Sequence, residues 1–100
     1  MAIQIGNYNF EGPFSSLEGL RNISGVYAIL GSNAPQQYAV LDIGESAALK
    51  DRVSGHDRKD EWRRSGYRTL LAAALYTDAH SRMRIEAELR ASYNPPCGVR

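Results

Sequence analysis

Five polar residues stand where packing alone does not ask for them: Tyr27, Asp42, Arg52, His56 and Glu86. They are a phenol, two carboxylates, a guanidinium and an imidazole, the groups from which proton transfer, anion binding and cation binding are built. Asp42 is the oddest of them. It sits in 40-VLDIGES-46 between Leu41 and Ile43, in a run that reads as a strand, where a β-branched or aromatic residue is the easy choice. Each also has a plain structural reading. Tyr27 could be a half-buried strand aromatic and Arg52 a solvated helix charge. His56 could place a cation at a helix C-terminus, and Glu86 with Arg90 could form an exposed i, i+4 pair.

The elements that must carry these residues are legible from pattern. Ile3 to Ile5 starts a short edge strand, and Ser15 or Ser16 caps a brief helix with Leu17 and Leu20. Two β-like runs, 25-GVYAIL-30 and 37-QYAVLDI-43, flank GSNAPQ, whose Gly, Asn and Pro favour a hairpin loop. Period-2 alternation puts Tyr38, Val40 and Asp42 on one face, and Ala39, Leu41 and Ile43 on the other. Ser46 caps a helix over 47–55 with Leu49 and Val53 as its buried stripe, and Arg52 and His56, four apart, share a face. A polar helix over 57–64 is anchored by Trp62. The run 68-RTLLAAALY-76 reads as a buried strand, with helix as a competitor because of Ala72 to Ala74. Asp78 or Ser81 opens a last helix to about Ser92, ended by Pro95 and Pro96. The expectation is one α+β domain over residues 1–100, with a small, largely antiparallel three-stranded sheet flanked by helices.

Composition narrows the class. Hydrophobic residues at 43% and charged residues at 23% are ordinary for a globular domain, and no apolar run reaches the roughly 20 residues of a membrane-spanning helix. The first residues lack a basic, then apolar, leader, and the single Cys97 excludes an internal disulfide, so the expected setting is cytoplasmic. Net charge is +1, but residues 1–45 hold four acids against Arg21 alone (−3), and residues 46–100 hold eleven Lys/Arg against seven acids (+4). That asymmetry suits an anionic partner on the C-terminal half, and a charge-rich solvated surface is the competing reading.

The motifs 25-GVY-27, 42-DIG-44, 44-GESAALKDRVSGH-56 and 86-EAELRASYNPP-96 together resemble the GIY-YIG endonuclease superfamily, over about residues 24–96. In such proteins the first strand carries G-[IV]-Y and the second Y-[IV]-G. A following helix supplies an Arg, often with a His one turn later, and a later helix supplies a Glu about nine residues before a Pro. Tyr27, Gly44, Arg52, His56, Glu86 and Pro95 fall into that register. Three positions depart from it: Asp42 replaces the second-motif Tyr, Glu45 stands where the repair branch tends to have Lys, and Gly98 stands where Asn is common.

The resemblance implies metal-dependent hydrolysis of nucleic-acid phosphodiesters, in DNA or RNA, with DNA the favoured partner. Glu86 would hold one divalent ion, Mg²⁺ or Mn²⁺, and Arg52 would grip the scissile phosphate. His56 would assist proton transfer or orient a phosphate, and Tyr27 would hydrogen-bond or deprotonate the attacking water. Arg58, Lys59, Arg63, Arg64 and Arg68 could track a phosphate backbone, or be neutralised by the interleaved Asp57, Asp60 and Glu61. Specificity would come from a partner protein or a homodimer. Asp42 has three readings: a general base, a second metal ligand beside Glu86, or the mark of a domain that has lost catalysis. The alternative to a nuclease is therefore a catalytically inactive module of the same type that binds nucleic acid or protein.

Overall fold

The computed structural model describes residues 2–56 and 58–97. Strands β1 (Ala2–Ile5), β2 (Tyr8–Phe14), β3 (Gly25–Ala34), β4 (Gln37–Ser46) and β5 (Thr69–Tyr76) form one antiparallel sheet in the order β1-β2-β5-β3-β4. Helices α1 (Leu49–Ser54), α2 (Lys59–Arg63) and α3 (Ala79–Tyr93) complete an α+β domain, with a 3₁₀ turn over Leu17–Gly19 capped by the Ser16 hydroxyl. None of the helices among the described residues is long and apolar enough to cross a membrane.

The sheet has five strands where three are expected. The edge strand expected at Ile3 to Ile5 is β1, and the unexpected strand is β2, which pairs with β1 and docks the N-terminal hairpin onto β5. In sequence β2 is disguised, because Gly12 and Pro13 read as breakers. Gly12 lies at φ +112 where the β2–β5 register shifts, so the strand passes through the glycine by way of an irregularity that a side chain would resist. The 68–76 run is the strand β5, and helix loses there because β5 is hydrogen-bonded on both sides, to β2 and β3. With both faces also covered, only small side chains fit its centre, and Ala73 and Ala74 are fully buried. The hairpin turn is tighter than GSNAPQ suggests: β3 and β4 continue to the pair Ala34–Gln37, leaving Pro35 and Gln36 as the turn.

The two faces of the sheet carry separate cores. Tyr27, Ile29, Leu41, Leu49, Val53 and Trp62 pack beneath α1 and α2, and Val26, Ala28, Leu30, Ile43, Ile85 and Leu89 pack beneath α3. Each such aliphatic side chain, buried, contributes about 1.5–3 kcal/mol of transfer free energy. Strict alternation would put Leu41 and Ile43 in the same core, and it fails in β4. The register runs Ile29–Asp42 and then Leu30–Val40, which leaves Leu41 as the extra residue of a bulge. The bulge sends Leu41 to the α1–α2 side while Ile43 serves α3. Ser46 ends β4, and its hydroxyl accepts from the Ala48 N–H ahead of α1, so it shapes the turn and Ala48 takes the cap position. Asp78 caps α3 by accepting from the Ser81 N–H at 2.8 Å, and Asn94 ends it in the left-handed region.

Candidate functional site

The site is built around the residue that looked out of place. Asp42 is fully buried, and its two carboxylate oxygens accept five hydrogen bonds. Oδ2 takes Arg58 Nε at 2.8 Å and Trp62 Nε1 at 2.7 Å. Oδ1 takes the Ile43 N–H at 2.9 Å, Arg90 Nη1 at 3.0 Å and Arg58 Nη2 at 3.3 Å. Because β4 is an edge strand, Arg58 and Trp62 reach it from α2 and the turn before it, and Arg90 reaches it from α3. Burial pushes the Asp42 carboxyl up, but the hydrogen bonds of Arg58, Trp62 and Arg90 with the Arg58 charge outweigh it and hold the group below its ordinary value. Asp42 is thus an ionised anchor that joins β4, α2 and α3. Both of its oxygens are engaged by these donors.

Arg90 continues the network. Its guanidinium also donates to the Ile43 carbonyl and, at 3.1 Å, to the Cys97 carbonyl, while the Cys97 N–H donates to the Leu41 carbonyl at 2.9 Å. The segment after α3 is thereby stitched along β4. The i, i+4 pair Glu86–Arg90 does not form, because Arg90 turns inward. Glu86 is left half-buried with, among the described residues, no hydrogen bond or ion pair to its carboxylate. Burial raises its pKa, Arg90 opposes this, and the nearby Glu45 and Asp42 charges raise it further. Glu45 itself is held by Arg82 Nε at 2.6 Å.

On the same side of the sheet as Asp42, the Tyr27 hydroxyl is hydrogen-bonded to His56 Nε2, and His56 Nδ1 accepts from the Arg58 N–H at 3.0 Å. The His56 ring lies edge-on to Tyr27 and 4.6 Å, centroid to centroid, from the Trp62 indole. Tyr27 stands opposite Gly44 across β3 and β4, and a Cβ on Gly44 would lie 2.2 Å from the Tyr27 oxygen. The absence of a side chain at 44 is what lets the phenol lie flat across β4. Burial, followed by the Asp42 charge, raises the Tyr27 pKa to about 12, against the lowering effect of Arg58, Arg52 and Arg90. Arg52, half-buried on α1, is therefore close enough for its charge to be felt at Tyr27.

Tyr27, Asp42, Arg52 and His56 thus gather on the α1–α2 side of the sheet, and Glu86 on α3 is linked to them through the charges of Asp42, Arg58 and Arg90. Four different elements and the turn after α1 supply them. The basic residues do not form one track. Arg58 faces inward, and Lys59 donates to the Ser54 carbonyl. Arg63 pairs with Asp60 on the surface. Lys59 and Arg63 border an apolar cavity of about 180 Å³ under Phe14 and Trp62, Arg64 borders a second beside Cys97, and Arg68 a third beside Tyr38. Asp57 lies outside the described residues. The contributions of Arg90, Trp62 and Arg82 escaped sequence reasoning; a strand aspartate flanked by apolar residues is a signal that cations must come to it, but not of which ones.

A divalent ion is tested by the donor set. Among the described residues, no three His, Cys, Asp or Glu side chains converge as a metal cage. An ion at Glu86 would have one protein carboxylate and otherwise water and phosphate oxygens, a mode that suits Mg²⁺. Around the half-buried Glu86 carboxylate the charges of Glu45 and Asp42 favour a cation, and those of Arg90 and Arg58 oppose one.

Compared with models of protein families, with curated proteins and with solved structures, the chain matches none.

Proposed function

We propose that the chain is a metal-dependent endonuclease of the GIY-YIG type, hydrolysing nucleic-acid phosphodiesters, with DNA favoured over RNA, in the cytoplasm. The observation that carries this is the hydrogen-bonded Tyr27–His56 pair with the Arg52 charge felt at Tyr27, and a Glu86 carboxylate that has no hydrogen bond among the described residues and, like Tyr27, feels the charge of the buried Asp42. Phosphoryl transfer asks a protein for positioning and for charge stabilisation more than for covalent chemistry. Arg52 binds the scissile phosphate through its planar fork. Tyr27 hydrogen-bonds at the reacting centre, held there by His56. Glu86 would hold the Mg²⁺ or Mn²⁺ ion, which would supply neutralisation of charge on the phosphate. The negative charge of Asp42 does not count against phosphate binding, because Arg58 and Arg90 more than cancel it locally. Specificity comes from a partner protein or a second copy of the chain.

The second reading, a nucleic-acid or protein-binding module without cleavage, draws on one observation: Tyr27 is only 1% exposed and His56 4%. A cleavage assay on single- and double-stranded DNA and RNA separates the two. Wild type and Glu86→Gln are compared with Mg²⁺, Mn²⁺ and EDTA. Cutting that needs metal and is lost in Glu86→Gln supports the nuclease. Salt-dependent binding without cutting, indifferent to Glu86, supports the module.

A further inference from the structure

The polarity of the Tyr27–His56 hydrogen bond follows from the other side of the imidazole ring. A backbone N–H can only donate, and the Arg58 N–H points at His56 Nδ1 from 3.0 Å. Nδ1 therefore presents its lone pair and the ring proton sits on Nε2. Nε2 faces the Tyr27 hydroxyl, so the imidazole is the donor and the phenol oxygen the acceptor. The phenol's own proton has no lone pair to meet on Nε2 and must be donated elsewhere. With its pKa raised to about 12, Tyr27 keeps that proton at neutral pH.

What holds the ring in this state is Asp42. His56 lies outside any helix, between the Gly55 cap of α1 and the start of α2. Asp42 fixes two of the described neighbours that orient it. The bonds at 2.8 and 3.3 Å to Arg58 pin the residue whose N–H meets Nδ1. The bond at 2.7 Å to Trp62 pins the indole packed on the imidazole. We infer that Asp42 is a positioning residue: acting through Arg58 and Trp62, it locks His56 as an Nε2–H donor to Tyr27, so that the imidazole cannot take the phenol's proton and does not turn Tyr27 into a base. The part this pair plays in cleavage rests on the nuclease reading; its polarity does not.

The test is ¹⁵N spectroscopy of the His56 ring in the full chain, for wild type, Asp42→Asn and Arg58→Lys, with the cleavage assay run in parallel. Arg58→Lys keeps the charge and the backbone N–H but cannot make both bonds to Asp42, and it is the milder variant should Asp42→Asn fail to fold. In wild type the expected result is a single tautomer, protonated at Nε2, with a slowly exchanging Nε2–H signal. In either folded variant that signal is lost to solvent exchange and the two ring nitrogens move toward averaged shifts. A wild-type ring protonated at Nδ1, or at both nitrogens at neutral pH, overturns the inference. So do folded variants whose ring signals match wild type. The inferred tautomer without metal-dependent cleavage sinks the nuclease reading alone, and cleavage with the wrong tautomer sinks only the inference.

Discussion

Asp42→Asn keeps the volume of the side chain and removes its charge, which makes it a sharp probe of the anchor. Asparagine must turn an NH₂ toward one side of the cluster. Placed at the Oδ2 position it faces Arg58 Nε–H and Trp62 Nε1–H, two donors that cannot accept. Placed at Oδ1 it faces three donors, the Ile43 N–H, Arg90 and Arg58. Neither orientation satisfies the site, and both remove the carboxylate charge that Arg58 and Arg90 share. Removing one partner of a buried ion pair costs about 3–5 kcal/mol, because the charge left behind stays desolvated. Against a total stability of roughly 5–15 kcal/mol, that is a large share. At about 4–8 °C per kcal/mol for a domain of this size, the melting temperature falls by roughly 12–40 °C. Urea and thermal unfolding of the two proteins at pH 7, followed by the fluorescence of the single Trp62, measure it. A variant within about 1 kcal/mol of wild type would refute the claim that Asp42 is a desolvated anchor.

The same group predicts the response to acid. Its folded-state pKa is below the ordinary value, so the folded state holds the proton less tightly than the unfolded chain does. Its stabilisation is complete above the unfolded value of about 3.9 and is lost as pH falls through the folded one; wild type unfolds in that acid range, and Asp42→Asn shows a flatter profile in a pH series of urea midpoints. Gly44→Ala forces a methyl to within 2.2 Å of the Tyr27 oxygen and 2.3 Å of Cζ, so the ring must leave its seat. The expected cost is about 1–3 kcal/mol by urea denaturation, and an unchanged midpoint would mean that Tyr27 is not packed across β4. Glu86→Gln removes a carboxylate whose pKa is raised by burial and by neighbouring acids, so its ionised form opposes folding and the variant is as stable as wild type or more so at pH 7. A clear loss of stability in Glu86→Gln would show that the carboxylate has a structural partner.

How much of this was legible beforehand depends on range. The strand β3, the helix α3 with its Asp78 cap, and the α+β class follow from local chemistry: alternation, capping and helix-ending prolines act over a few residues and so leave a trace in a linear reading. The edge strand β1 was legible, but β2 was not, because Gly12 and Pro13 are breakers by propensity and are tolerated only where β5 offers a strand to pair with. Alternation likewise misplaced Leu41 relative to Ile43, since a bulge is set by the partner strand's register. The five chemistry-bearing residues could be picked out by type and spacing, and Asp42 could be seen as anomalous. The tertiary structure decided what Asp42 does. Its counter-ions lie 16 and 48 residues away, and only chain closure brings Arg58 and Arg90 to one carboxylate and makes a buried charge tolerable. Charge compensation is a property of distance in space, and no pattern along the chain carries it.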